Sequence, residues 1–201
     1  AIEGERTSRW DAVKLVMQEF IERREGDRIG LILFGTQAYL QVPFTTDLQV
    51  VNNYLLESEV GMPGERTAIG NAIGLGVKLF EADSLERKVM ILLTDGVDSG
   101  SEINPVQAAQ TAANDSVVIY TIGIGDPSSN LFEIDEKMMK QIAEDSGGKY
   151  FLAIDKTQLE EVYETLEKLE PIEFEEETYK PATLLFYYPL ALIIIIGLLN
   201  Q

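Results

Sequence analysis

The run Lys88–Thr94, KVMILLT, followed at once by Asp95-Gly96, constrains this chain more than any other stretch. An unbroken apolar run of that length reads as a strand covered on both faces, and such strands occur where helices sandwich a parallel sheet. The glycine lets the backbone turn sharply where the run stops. A carboxylate is thereby left at the carboxyl edge of a sheet, the edge at which open α/β sheets bind their ligands.

The rest of the chain alternates in the same style. Apolar residues at helical spacing predict helices over 8–24 (Trp10, Val13, Leu15, Val16, Phe20, Ile21), 45–59, 67–83, 105–114, 135–146 and 156–170. Strand-type runs lie at 28–34, 38–44, 88–94, 116–125 and 149–154. Pro43 cannot donate to a ladder, so 38–44 is expected as an edge strand, hairpin-paired with 28–34. The expected fold is α/β, a doubly wound Rossmann-like domain with a mostly parallel sheet and one antiparallel edge strand. The chain opens with a helix where such a sheet normally opens with its central strand, so the first strand is expected to lie ahead of Ala1.

Composition narrows the chemistry. The chain of 201 residues is long enough for one domain with a sizeable core. A net charge of −18 repels phosphate backbones and argues against a nucleic-acid partner. With no cysteine and no histidine, thiolate zinc sites, cysteine nucleophiles and histidine-dependent triads are excluded. A bound metal must be held by oxygen, which points to magnesium, manganese or calcium.

From Pro181 to Gln201 there is no charged residue, about the length that crosses a bilayer as a helix (roughly 20 residues). A transmembrane helix is expected over 182–199, with a buried terminal helix as the alternative. The acidic stretch 173–178 reads as part of a solvated juxtamembrane linker, 171–181, behind a domain over 1–170.

Two residues stand out for chemistry, Asp95 at the strand end and Thr67 at the start of the helix over 67–83. Each has a plain reading: an Asp-Gly turn for the first, a helix cap for the second. Gly70, Gly74 and Gly76, with Ala68 and Ala72, leave that helix with little bulk on one face. It is therefore expected to lie close on the sheet and bring Thr67 towards Asp95. Asp98, Glu102 and Asp126 lie in strand-end loops, as rim residues or plain acidic surface, and Asp47 reads as a helix cap. No Gly-x-x-x-x-Gly-Lys-Ser/Thr loop, dinucleotide fingerprint or Gly-x-Ser-x-Gly elbow is present, so no enzyme is expected.

The segments "RTSRWDAVK", "RIGLILFGTQAYLQVPFTTD", "GERTAIGNAIGLGV", "KVMILLTDGVDSGSEINPVQAA" and "GGKYFLAIDKTQLEEVYETLEKLE", in this order and spacing, resemble a von Willebrand factor A (VWA) domain, over about residues 6–170. They are most similar to the bacterial membrane-anchored aerotolerance (Bat-type) subgroup. The resemblance implies a metal-ion-dependent adhesion site (MIDAS), in which Thr67 is the threonine and Asp95 the aspartate. It also implies a partner protein that supplies an acidic residue to the ion. The family's Asp-x-Ser-x-Ser is absent; in relatives it precedes the position matching Ala1, so Mg2+ (or Mn2+ or Ca2+) binding to this chain is expected to be weak or absent. Arg66 departs from the family pattern by placing a cation beside the site. The subgroup implies a complex with a MoxR-type AAA ATPase and sister VWA subunits at the bacterial inner membrane, with the domain in the periplasm. The alternative is a metal-independent scaffold with a vestigial metal site.

Overall fold

The computed structural model describes residues 9–83, 87–125 and 134–171. Within them α1 (Arg9–Glu22) leads to an antiparallel hairpin of β1 (Ile29–Phe34) and β2 (Ala38–Thr45). Then come α2 (Leu48–Glu57), α3 (Ile69–Glu81), β3 (Lys88–Thr94), α4 (Pro105–Asn114), β4 (Val117–Ile124), α5 (Glu136–Asp145), β5 (Tyr150–Ala153) and α6 (Lys156–Leu169).

Local chemistry sets most of the helix starts. The Asp47 carboxylate accepts from the amides of Gln49 (3.1 Å) and Val50 (3.2 Å), which satisfies donors that the first turn of α2 leaves free. Asn104 does the same for α4, with Pro105 in the first turn, and Asp135 and Asp155 cap α5 and α6. The α3 helix differs: its cap position is Ala68, which has no side chain able to accept.

Strand β4 shows why two layers of helix are needed. Val117 and Ile119 face the side packed by α3, α4 and α5, where Ile69, Ile73, Ala109, Met139 and Ile142 are buried. Tyr120, Ile122 and Ile124 face the other side, against Val13 and Val16 of α1 and Leu159, Val162 and Leu166 of α6. Alternate side chains of a strand point to opposite faces, so both faces of an apolar strand require cover. A third cluster, Leu31, Val42, Val51 and Leu55 with Ile21, underlies the hairpin.

Two expectations are corrected here. The parallel strands and the antiparallel pair are present as expected but, among the described residues, lie in separate sheets: β1 and β2 form a two-stranded one, and β3-β4-β5 form a parallel three-stranded one. Among the described residues β3 is consequently an edge strand. Its residues Val89, Met90 and Ile91 are half-buried, whereas β4, paired on both sides, is almost wholly buried. The expectation of a transmembrane helix is corrected as well. No helix among the described residues is long and apolar enough to cross a membrane, and 182–199 lies outside them.

The amino ends of the strands are tied together by Glu170. Its side chain accepts from the Tyr120 hydroxyl at 2.7 Å and pairs with Arg87, and its backbone carbonyl accepts from Arg24 at 2.6 Å. Burial, then the neighbouring Glu170 carboxylate, raises the Tyr120 hydroxyl to about 12, from an ordinary 10.0. The folded state therefore holds this proton more tightly than the unfolded chain does. Stability is expected to be level up to about pH 10 and to fall as the pH rises from there through 12, measured by urea unfolding across that range. Tyr120→Phe should reduce the slope of that decline.

Candidate metal-binding lip

The amides at the start of α3 are satisfied from a distant loop. The Asp98 carboxylate accepts from the Ile69 amide at 2.9 Å, and the Ser101 hydroxyl accepts from the Gly70 amide at 2.7 Å while itself donating to Asp98. The Ser99 hydroxyl accepts from the Thr67 amide at 3.2 Å, and the Thr67 carbonyl accepts from the Ser99 amide at 2.9 Å. Asn71 returns the favour, its side-chain oxygen accepting from the amides of Glu102 (3.0 Å) and Ile103 (3.3 Å). The loop after β3 and the start of α3 thus form one stitched unit. A third element joins them: the Ala68 amide donates to the Gly35 carbonyl, just past the end of β1, at 2.8 Å.

This stitching fixes Thr67 over the Asp95-Gly96 turn. A Cβ built on Gly96 would lie 3.1 Å from the Thr67 hydroxyl oxygen, so a side chain at 96 would press on it. Thr67 is half-buried and Asp95 is exposed, and both border the same cleft. Behind them the buried Thr94 hydroxyl accepts from the Gly96 amide at 3.3 Å and fixes the turn. The structure thus brings the two predicted residues to one lip of the fold.

Several details differ from expectation. Thr67 is not the first residue of the helix; α3 begins at Ile69, and the Thr67 hydroxyl is free of capping duty because the cap comes from Asp98 and Ser101. The bare face of α3 is divided. Gly70 and Gly74 meet Ile103 of the loop before α4, and only Gly76 meets the sheet, at Met90. Asp98, a candidate rim residue, is a tertiary cap, and Glu102 reaches α3 through its backbone amide. Asp126 lies outside the described residues. The capping role of Asp98, Ser99 and Ser101 had one legible signal: a helix opening on Ala68 needs acceptors from elsewhere, and "DSGS" offers them. Asp98→Ala is expected to cost about 1 kcal/mol in urea unfolding, with Asp98→Asn recovering most of it.

A hydroxyl and a carboxylate are hard oxygen donors and suit magnesium, manganese or calcium. They are too few to enclose such an ion, which takes about six ligands. Among the described residues no three carboxylates gather at one point.

The sequence profile of the von Willebrand factor type A domain matches residues 6–165. The chain belongs to this family. An uncharacterised protein of Borreliella burgdorferi is 33% identical over 138 residues, a match that covers 69% of this chain and 40% of that protein. The chain therefore spans less than half the length of this relative. An aerotolerance-related membrane protein of Bacteroides fragilis superposes with a TM-score of 0.67 at 22% identity, covering 82% of this VWA chain and 90% of the other. Proximal thread matrix protein 1 of the mussel byssus, in a structure with a zinc-occupied MIDAS motif, superposes at 0.64 with 18% identity, covering 78% of this chain and 41% of its own. At these identities the two structures establish the shared fold.

Proposed function

We propose that this VWA domain binds a protein partner through a divalent cation at the lip, with the Thr67 hydroxyl and the Asp95 carboxylate as two of its ligands. The observation that carries the reading is the seat of the Thr67 hydroxyl above the Asp95-Gly96 turn, locked there by the loop 98–103. A hydroxyl and one exposed carboxylate leave a dication under-neutralised, so an acidic side chain of the partner completes its shell. Magnesium is the ion proposed; the mussel protein's zinc establishes only that a relative's motif takes a divalent metal. These two side chains supply only part of the shell; the Asp-x-Ser-x-Ser that completes a MIDAS is absent from residues 1–201. This is a binding device and carries out no turnover.

The partners proposed are a MoxR-type AAA ATPase and sister VWA subunits, and the place is the bacterial inner membrane with the domain facing the periplasm. The membrane assignment takes its support from the Bacteroides protein's description as a membrane protein. Calorimetry with magnesium tests the site. An upstream-extended protein is expected to bind, and its Asp95→Ala form about tenfold or more weaker, a loss of one charged ligand worth at least ~1.4 kcal/mol. Residues 1–201 alone are expected to bind weakly or not at all, and micromolar affinity there would contradict the missing-ligand argument. An Asp95→Ala protein that holds metal and partner as well as its parent would end the proposal.

One observation favours a second reading, a scaffold whose metal site is vestigial: Arg66 is exposed next to Thr67, with its backbone held by the Thr36 hydroxyl at 3.3 Å. A cationic side chain next to Thr67 opposes a dication at the lip. Association with partners that survives EDTA would select this reading, and dissociation by EDTA would reject it.

A further inference from the structure

The loop that holds Thr67 also seats the residue before it. A Cβ built on Gly100 would lie 3.2 Å from the Arg66 β-carbon and 3.4 Å from its δ-carbon, so the stem of Arg66 is laid along backbone that carries no side chain. That backbone is itself fixed: the amides of Ser99 (2.9 Å) and Gly100 (3.3 Å) both donate to the Thr67 carbonyl. The Arg66 amide donates to the Thr36 hydroxyl, which holds the other side of the seat. The Thr67 hydroxyl lies over Gly96 and the Arg66 stem over Gly100, so the two side chains stand on separate parts of one loop.

The charge that this stem carries is exposed and unanswered. The chain has 34 acidic residues to 16 basic ones, and the other arginines with described side chains have all found a carboxylate. Arg23 pairs with Glu19 and Glu167, Arg24 with Asp27, Arg28 with Asp83 and Arg87 with Glu170. Arg66 pairs with none among the described residues. The carboxylate of the loop beneath it, Asp98, is committed to the Ile69 amide and the Ser101 hydroxyl. A guanidinium presents its donors in a planar fork that matches a carboxylate, and it is more weakly hydrated than an ammonium. Placed beside the lip without an internal counter-charge, it is suited to an anion brought from outside.

We propose that Arg66 is a second foothold for the partner: its guanidinium takes an acidic side chain two residues away from the one that completes the cation's shell. Arg66 and Thr67 are consecutive, which keeps both footholds within reach of one short segment. That segment is extended and reads acid-x-acid, because side chains two residues apart share a face and stand about 6.7 Å from one another. The charge that opposes a free dication thus attracts the partner's second anion, and it selects against partners with a single carboxylate. The first carboxylate rests on the cation reading above; the second rests on Arg66 alone.

The experiment titrates the upstream-extended protein, in magnesium, with the end-blocked synthetic peptide Gly-Ser-Glu-Thr-Glu-Ser-Gly and with the two forms in which one or the other glutamate is glutamine. By calorimetry the two-glutamate peptide is expected to bind about tenfold more tightly than either single-glutamate form. In Arg66→Gln that preference is expected to fall to about twofold or less, and Arg66→Lys, which keeps the charge without the fork, is expected to recover little of it. Magnesium without peptide should bind Arg66→Gln at least as tightly as the parent, since a neighbouring cation is gone. The Arg66 Nε–H signal is expected to shift on addition of the two-glutamate peptide. Magnesium-dependent binding with a preference of about twofold or less in the parent overturns the proposal, as does a preference that survives Arg66→Gln. A loss of magnesium affinity in Arg66→Gln would make Arg66 part of the metal seat and overturn it, and so would an Nε–H signal unmoved by millimolar peptide. Should magnesium add nothing to peptide binding while Arg66→Gln still weakens it about tenfold, the cation reading fails and the Arg66 foothold stands.

Discussion

Gly70→Ala will destabilise the domain by about 2 kcal/mol, although alanine is the better helix former by about 1 kcal/mol. The reason lies across the interface: a Cβ at 70 would sit 1.9 Å from the Ile103 carbonyl oxygen, a backbone atom that cannot swing aside. To admit the methyl group, the loop 98–103 must lift from α3. That movement weakens the Asp98–Ile69 and Ser101–Gly70 hydrogen bonds and, through Ser99, the seat of Thr67. The lowered urea midpoint should therefore be accompanied by amide shifts at Thr67 and Gly96. At Gly74, by contrast, the nearest atom is the Ile103 δ-carbon at 3.2 Å, the end of a flexible side chain. Gly74→Ala is expected to be close to neutral.

Ile119→Ala will cost about 4 kcal/mol, in the upper part of the range for deleting a fully buried aliphatic side chain. Ile119 is wholly inaccessible in the central strand of the three, beneath α3, α4 and α5, and its neighbours Met139 and Ile142 are equally enclosed. The space it would leave is ringed by helices held from several directions, so collapse is restricted. Ile91→Ala in β3 removes the same atoms but is expected to cost about 1 kcal/mol, because Ile91 is half-buried and borders the cleft. Urea unfolding of the two variants compares a paired strand with an open-edged one. Equal losses would mean that β3 is as enclosed in solution as β4.

The elements themselves were legible in the sequence. Periodicity placed each helix and strand within a few residues of its structural bounds, Asp47 was readable as a cap, and Pro43 stands exposed in β2, which pairs on one side only. The candidate pair, Thr67 and Asp95, was legible because a strand end and a helix start carry their own local signals. The partner that α3 leans on was not. Its glycines announced a close approach without naming what approaches, and the neighbour proved to be the Ile103 carbonyl as much as the sheet. KVMILLT is covered on both faces as read, with Met90 and Leu92 against one cluster and Val89, Ile91 and Leu93 against the other, and its residues are half-buried because β4 is its one strand partner among the described residues.

The sequence by itself determined the α/β alternation, the exclusion of histidine and cysteine chemistry, and the presence of a hydroxyl and a carboxylate at element ends. These follow from side-chain period and residue chemistry, which act over a few neighbouring residues. Only the tertiary structure decided that Asp98 and Ser101 cap a helix some thirty residues earlier and that the Thr67 hydroxyl lies over Gly96. Such contacts are set by how layers pack and which ladders close, and hydrogen bonds between residues distant in the chain leave no period in the sequence.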